Sequence, residues 1–191
     1  MRNRRIVVAI TGASGVIYGI RLLEVLKDQE RVETILIVSE TAKKLIPLET
    51  SFRVEDVYGL ASQVYENDEL MAEVSSGTAE YDGAVVIPCS MKTLGCIAAG
   101  ISATLITRVA EVCLKEGRKL VLVPRETPLN AIHLENMLTL RRAGAVILPA
   151  CPAFYHRPEK ISELVDFIVM RVLDALGMRS ELVPRWGKCI L

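Results

Sequence analysis

A fixed positive charge and a carboxylate stand side by side at Arg125 and Glu126, directly after the apolar run Leu120–Val123 and Pro124. Four apolar residues in a row indicate a buried strand, and the proline marks where that strand leaves its sheet. Both charges lower stability at such a position unless a ligand or substrate uses them. Ligands of open α/β sheets bind at the carboxyl ends of the strands, so the pair predicts a functional site there. The alternative is an exposed loop with a surface ion pair.

Two further segments, Gly83–Ser90 and Ala145–Pro152, follow the same plan of an apolar run, a proline and then small or polar residues. Unbroken runs of Val, Ile and Leu indicate strands that are covered on both faces, as in a parallel sheet. Because the carboxyl ends of parallel strands meet at one edge, three strands that end alike predict a shared rim. The segments expected on it are Ser90–Thr93, Arg125 with Glu126, and Cys151–Arg157.

A glycine turn, Thr11–Gly15, joins the first apolar run to the first helical pattern. Such a turn brings backbone N–H groups and a helix N-terminus to an anion. Gly12 and Gly15 permit tight geometry and Ser14 offers a hydroxyl, whereas a tight turn without a ligand is the alternative. The turn matches neither the dinucleotide nor the Walker A pattern. The second strand is followed by Ser39 and not by the acidic residue that binds a dinucleotide ribose, which favours a mononucleotide over NAD.

Ser90 to Thr93 (Ser-Met-Lys-Thr) open another helix after the Pro-Cys turn. Ser90 suits the N-cap position, and capping alone is one interpretation. The hydroxyls, the backbone donors and Lys92 would equally suit the ribityl or phosphate groups of a nucleotide. We favour the second interpretation, because the glycine turn should reach the same rim.

Strand and helix patterns must alternate along the chain to bring these segments together. The predicted strands are 5–11, 32–38, 84–87, 120–123 and 145–148, and the predicted helices are 16–27, 40–48, 54–59, 93–99, 104–116, 129–143 and 160–176. Residues 66–77 are polar and are predicted to form a loop. This alternation predicts an α/β fold, a Rossmann-like (flavodoxin-like) open parallel sheet with helices on both faces. We expect one domain over residues 1–191, with 177–191 as a C-terminal tail.

Composition narrows the function classes. The 23 basic and 23 acidic residues cancel, and no basic stripe is interleaved with aromatic residues, which argues against nucleic acid and anionic membranes as partners. The hydrophobic share of 51% exceeds that of an ordinary soluble domain. No apolar run approaches the roughly 20 residues that span a bilayer. The excess apolar surface therefore indicates burial between subunits.

Cysteine and histidine usage argues against a metal site. The five cysteines have no paired or metal-ligand spacing, and the chain has two histidines. An odd number of scattered cysteines suits reduced thiols in the cytoplasm. The charged amino terminus runs straight into a strand without an apolar targeting region. We expect a cytoplasmic protein.

Taken together, the motifs resemble those of the UbiX-type flavin prenyltransferases, whose fold is shared with the flavin-containing cysteine decarboxylases. The resemblance runs from about residue 5 to about residue 187, with the motifs in the family's order. They are Thr11–Gly15, Pro88–Leu94, Val123–Glu126, His133–Met137, Gly144–Pro149, Phe154–Tyr155 and Pro184–Gly187.

The resemblance implies an FMN-binding subunit that assembles into a homo-oligomer with active sites at subunit interfaces. The implied reaction joins a dimethylallyl group from dimethylallyl monophosphate to N5 and C6 of reduced FMN. The implied product, prenylated FMN, passes to a UbiD-type decarboxylase. The sequence lacks the Asp-rich motif that holds a diphosphate–metal complex, which agrees with a metal-independent reaction.

The resemblance also implies residue roles. The expected FMN contacts are Gly12, Ala13, Ser14, Ser39, Ser90, Met91, Lys92, Thr93 and Arg125. The expected contacts of the prenyl phosphate are Tyr155 and Arg171, with Arg108 and Lys115 as further basic positions. The residues assigned to proton transfer are Glu49, Glu126 and Ser14.

Chemistry makes these roles coherent, although other interpretations stay open. Arg and Lys side chains with a Tyr hydroxyl stabilise a departing phosphate, and closure at flavin C6 requires a base. We assign the base to Glu49 and a proton donor for the phosphate to Glu126. Glu49 could instead be a solvated helix end, and Arg171 a surface residue with a packed stem. Trp186 is expected to pack the tail onto the body or onto a neighbouring subunit.

Two rival functions are weighed against this one. An FMN-dependent cysteine-peptide decarboxylase of the same fold should carry a catalytic histidine and a Pro-Ala-Ser-Ala-Asn-Thr-like turn, where this chain has Pro88–Thr93. A non-catalytic flavin carrier would not need a second anion site. A cluster of charged residues argues against the carrier: Arg108, Lys115, Arg125, Glu126 and Arg171.

Overall fold

Strands and helices alternate along the chain in the computed structural model, which describes residues 2–187. The strands are β1 (Arg4–Ile10), β2 (Val32–Val38), β3 (Gln63–Glu66), β4 (Gly83–Cys89), β5 (Lys119–Pro124) and β6 (Val146–Ile147). The helices are α1 (Val16–Lys27), α2 (Glu40–Glu49), α3 (Val54–Tyr58), α4 (Met91–Ala98), α5 (Leu105–Lys115), α6 (Ala131–Arg142) and α7 (Ile161–Leu176), with a 3-10 turn at Glu73–Ser75.

The strands form one parallel sheet in the order β3-β2-β1-β4-β5-β6. After β1 the chain builds outward through β2 and β3, and it then returns to place β4 on the other side of β1. The strand order therefore reverses between β1 and β4, and the loops at their carboxyl ends diverge. A crevice at such a reversal is where open α/β sheets bind their ligands.

Both faces of the sheet are covered, which explains the unbroken apolar runs. Along β1, Val8 and Ile10 face a core that they share with α1, α2, α3 and α7. Val7 and Ala9 face a second core, which contains residues of α4, α5 and α6. The predicted Rossmann-like sheet with helices on both faces is confirmed.

Some element boundaries differ from those predicted. Strand β3 was missed, because its half-buried Gln-Val-Tyr-Glu sequence lies at the edge of the sheet and lacks an apolar run. Helix α4 begins two residues earlier than predicted and α6 two later. In each case the cap fixes the start, since Ser90 accepts from the Thr93 amide and Asn130 from the His133 amide. The predicted strand 145–148 shortens to two residues.

The end of the chain follows the predicted plan as far as it is described. Helix α7 ends at Leu176 with Gly177 as its cap, and the tail is described to Gly187. Cys189 lies outside the described residues. Within residues 2–187, no helix combines the length and apolar character needed to cross a membrane.

Candidate functional site

The hydroxyl of Thr11 locks the carboxyl ends of β1 and β4 together. It donates to the Pro88 carbonyl at 2.7 Å and accepts from the Ser90 amide at 2.8 Å. Thr11 is 1% exposed, so water does not compete for these bonds. The glycine turn and the Ser90–Thr93 turn are therefore held in one fixed relation. Sequence reasoning included Thr11 only as the start of the glycine turn.

Thr11→Val is expected to lower the free energy of unfolding by about 1–3 kcal/mol, because it leaves the Ser90 amide without its partner and leaves the Pro88 carbonyl with only the Thr11 amide. The same change should weaken FMN binding, since the Ser90–Thr93 turn loses its tie to β1. Urea denaturation of the flavin-free protein measures the first effect and flavin titration the second. Thr11→Ser keeps the hydroxyl and serves as the control. Equal stability of Thr11→Val and the unaltered protein would contradict the assigned role.

Arg125 brings the end of a third strand to this rim. Its backbone amide donates to the Cys89 carbonyl at 3.3 Å, and its guanidinium Nε donates to the Ser14 carbonyl at 2.9 Å. The Thr11 hydroxyl thus ties the glycine turn to the end of β4, and the Arg125 guanidinium ties it to the end of β5. The structure therefore brings the glycine turn, the Ser90–Thr93 turn and Arg125 to one rim, as predicted.

A cleft of about 230 Å³, partly open to solvent, lies at this rim on the α4–α5 side of the sheet. Five residues of the predicted FMN set line it: Gly12, Ser39, Ser90, Lys92 and Thr93. The sequence did not single out the rest of the lining, which is Thr41, Asn67, Cys96, Ala103, Thr104, Ile106 and Thr107. Asn67 directly follows β3, so it was missed together with that strand.

The cleft depends on the absence of a side chain at Gly12. A Cβ atom there would lie 2.6 Å from Cβ and Cγ2 of Thr41, at the beginning of α2. A larger residue would therefore push α2 away from the glycine turn. The close approach lets Gly12, which follows β1, line one cavity with the hydroxyls of Ser39 and Ser90, which follow β2 and β4.

The lining suits FMN in its chemistry. Hydroxyl groups, one amide and one lysine suit a ribityl phosphate, and Ile106 with Ala103 adds apolar surface. Ser90 also caps α4, because its hydroxyl accepts from the Thr93 amide at 3.3 Å. The capping and the ligand-binding interpretations of Ser90 are therefore compatible.

The carboxylate of Glu49 occupies the N-terminus of α1. It accepts from the Gly15 amide at 2.7 Å and from the Val16 amide at 3.4 Å. Gly15 has a φ of 98°, a backbone conformation that favours glycine. The anion that this helix N-terminus receives is thus the protein's own carboxylate. Glu49 is the exposed last residue of α2, and its side chain is held beside the glycine turn.

Arg125 and Glu126 point to different partners although they are adjacent in sequence. The guanidinium is anchored on the glycine turn, whereas the Glu126 carboxylate accepts from the Thr127 amide at 3.0 Å. Glu126 is exposed, so its carboxylate is open to a ligand or to water.

None of the four predicted contacts of the prenyl phosphate lines the cleft of its own chain. Arg108 donates to the Ser75 carbonyl at 3.0 Å and to Glu111 at 2.9 Å. Lys115 pairs with Glu116 at the other end of α5. Tyr155 packs edge-on against Phe167 of α7, and Arg171 lies on that helix, in the layer opposite the cleft. A single chain therefore does not bring Tyr155 and Arg171 to the lining described above.

Thiol and metal chemistry find little support in the described chain. Cys89 is fully buried, and desolvation raises the pKa of its thiol to about 12, so the thiolate is scarce at neutral pH. No group of three or more His, Cys, Asp or Glu side chains within residues 2–187 is arranged to hold a metal ion. Trp186 meets Tyr155 edge-on with ring centroids 5.2 Å apart, so the tail contacts the body there as predicted, although the Trp186 side chain is 68% exposed.

Comparisons with known proteins agree with this geometry. A family model described as Flavoprotein matches residues 1–173. The chain is 52% identical to the flavin prenyltransferase UbiX of Methanocaldococcus jannaschii over 183 residues, which covers 96% of the chain and 98% of the relative.

Two solved structures are similar over nearly the whole chain. The crystal structure of AnUbiX (PadA1) in complex with FMN and dimethylallyl pyrophosphate has a TM-score of 0.95 at 48% identity, and covers 97% of this chain and 98% of that one. A dodecameric FMN-dependent UbiX-like decarboxylase from Escherichia coli O157:H7 has a TM-score of 0.94 at 48% identity, with 96% and 99% covered.

Proposed function

The chain belongs to the flavoprotein family, among its UbiX-type flavin prenyltransferases, and from this premise we propose how its residues divide the reaction. The enzyme joins a dimethylallyl group to N5 and C6 of reduced FMN, which is the prenyl acceptor and hence a substrate. One observation carries the residue assignment: the cleft lies at the strand reversal, and the Glu49 carboxylate binds the glycine turn at the same rim.

FMN is proposed to place its ribityl phosphate in the cleft and its ring system along the glycine turn toward Arg125. The cleft supplies hydroxyls from Ser39, Ser90 and Thr93 and the charge of Lys92. Gly12, Ala13 and Ser14 would contact the ring edge through their backbone, and Met91 would flank it. This arrangement uses the N-terminus of α4 for the phosphate, because Glu49 already occupies that of α1.

The prenyl phosphate is proposed to bind Tyr155 and Arg171 of a neighbouring copy of the chain. Two observations support this: both residues lie in the α7 layer, and a similar UbiX-like protein is dodecameric. Negative charge builds on the phosphate as its C–O bond breaks, and guanidinium and hydroxyl groups stabilise that charge. Arg108 and Lys115 would add positive charge at the same interface.

Two carboxylates are proposed to handle the protons. Glu49 would take the proton that leaves flavin C6 as C6 bonds to the prenyl chain, whose double bond gains a proton in the same closure. The two amides hold the Glu49 carboxylate at the glycine turn for this role. Glu126 would protonate the departing phosphate, and the Ser14 hydroxyl would assist at the flavin edge. The electron-rich face of reduced flavin attracts the allylic cation.

The wider setting is proposed from the family. The donor is dimethylallyl monophosphate, and the prenylated FMN passes to a UbiD-type decarboxylase. The enzyme acts in the cytoplasm as a homo-oligomer, and each chain is one FMN-binding domain over residues 1–191 with 177–191 as its tail.

Anaerobic incubation of the protein with reduced FMN and dimethylallyl monophosphate tests the reaction directly. Mass spectrometry of the extracted flavin should show the gain of one C5 unit, and the same incubation with the diphosphate tests the donor assignment. Unmodified FMN from folded, flavin-bound protein would favour the cysteine decarboxylase or the flavin carrier. Loss of CO2 from a cysteine-terminated peptide would then decide between those two.

A further inference from the structure

Asp174 on α7 lies between two arginines. Arg185 of the tail binds its carboxylate through two hydrogen bonds, with Nη1 to Oδ2 at 3.0 Å and Nη2 to Oδ1 at 2.7 Å. Arg171 lies one helical turn before Asp174, and its Nη1 is 3.6 Å from the same Oδ2. That distance makes an ion pair but is too long for a hydrogen bond, so the tail and not the helix neighbour supplies the hydrogen bonds to Asp174.

Exposure separates the two arginines as well. The Arg171 side chain is 55% exposed, whereas Arg185 is 37% and Asp174 23% exposed. Arg185 is further held by the Ser180 carbonyl at 3.2 Å. A planar guanidinium that binds a carboxylate with both nitrogens satisfies its acceptor sites better than a single contact does. The guanidinium of Arg171, whose ion pair with Asp174 is the longer of the two, is thereby left able to donate hydrogen bonds to another anion.

Trp186, the next residue of the tail, contacts Tyr155, which is the other residue proposed to bind the prenyl phosphate. Trp186 meets the ring of Tyr155 edge-on at 5.2 Å and at an interplanar angle of 87°. Tyr155 also packs against Phe167 of α7 at 6.0 Å. Arg185 and Trp186 are adjacent in the tail. The first binds Asp174 beside Arg171, and the second contacts the ring of Tyr155.

We infer that Arg185 is a positioning residue for the prenyl donor: it occupies the Asp174 carboxylate, and so keeps Arg171 available for the donor phosphate. The inference rests on the proposed role of Arg171. Without Arg185, Asp174 shortens its 3.6 Å ion pair with Arg171, and the donor phosphate must compete with this carboxylate one helical turn away. The tail would then tune affinity for the prenyl donor without touching the flavin.

Arg185→Gln is expected to raise KM for dimethylallyl monophosphate about threefold to fivefold, the range that a partly exposed ion pair supplies. The affinity for FMN and kcat should change by less than about twofold, since neither depends on Arg171 being free. Arg185→Lys should restore part of the effect, because it keeps the charge but not the two-pronged geometry. Arg53→Gln, which breaks a similar two-pronged pair with Asp56, is the matched control and should leave KM unchanged.

Asp174→Asn separates this role from simple anchoring of the tail. The introduced amide oxygen still accepts a hydrogen bond from Arg185, but it no longer carries a charge that draws Arg171. We therefore expect Asp174→Asn to leave KM unchanged or lower, and the double change Arg185→Gln with Asp174→Asn to restore KM. If the pair only anchors the tail, both single changes raise KM alike, and that result would overturn the inference.

Arg171→Gln distinguishes a failure of this inference from a failure of the proposed function. A strongly raised KM for Arg171→Gln with no change for Arg185→Gln would overturn the role of Arg185 alone. An unchanged KM for Arg171→Gln would overturn the donor-binding assignment and the role of Arg185 with it. Thermal denaturation of each variant shows whether it is folded, and Asp174→Asn supplies the test if Arg185→Gln is not.

Discussion

Glu49→Gln is expected to leave the prenyl group joined to flavin N5 alone, with closure at C6 slowed about 100- to 10,000-fold, the usual contribution of a positioned general base. Glutamine keeps the shape of the side chain and an oxygen that accepts from the Gly15 amide. The glycine turn should therefore hold, and FMN should still bind. The amide cannot accept the proton that leaves C6, so the second bond forms slowly.

The closed and the open products are isomers, so total mass does not distinguish them. Closure removes the hydrogen from flavin C6 and adds a proton to the prenyl chain. Reduced FMN deuterated at C6 therefore loses one mass unit on closure in ordinary water, whereas the open product keeps the deuterium. Glu40→Gln is the matched control, because Glu40 is an exposed residue of the same helix that pairs with Lys43. Loss of the deuterium at the unaltered rate in Glu49→Gln would rule out Glu49 as the base.

Arg125→Met is expected to weaken FMN binding about 10- to 100-fold, the range for loss of a hydrogen bond from a charged group. The guanidinium fixes the glycine turn through the Ser14 carbonyl, and we propose that it also contacts the flavin. Methionine fills the space of the stem but removes both functions. The turn should loosen while the two apolar cores of the sheet stay intact.

Titration of the flavin-free protein with FMN, followed by flavin fluorescence, measures this change. Arg125→Lys should fall between methionine and arginine, since lysine keeps the charge without the planar fork. Arg142→Met removes an exposed arginine in the last turn of α6 and should not affect affinity. A dissociation constant for Arg125→Met within about twofold of the unaltered protein would exclude Arg125 from the flavin site.

The central strands were predictable because each reads as an unbroken apolar run, and burial on both faces of a parallel sheet requires such runs. The rim was predictable for a related reason: the turns after β1, β4 and β5 change abruptly from apolar to small or polar residues. Strand β3 gave no such signal, because an edge strand is partly solvated and tolerates polar side chains. Asn67 and its place in the cleft were lost with it.

The residues of this chain by themselves determined the sheet class, the cap at Ser90 and the grouping of three strand ends, since each of these follows from local periodicity or local chemistry. The tertiary structure alone decided that Glu49 reaches the Gly15 amide across 34 positions and that Thr11 ties β1 to β4 across 77. It also decided that Arg185 supplies the hydrogen bonds to Asp174, whereas Arg171 makes only a longer ion pair with it. Contacts between residues that are distant in sequence depend on strand order and helix placement, and no local pattern encodes which of several possible partners comes within reach.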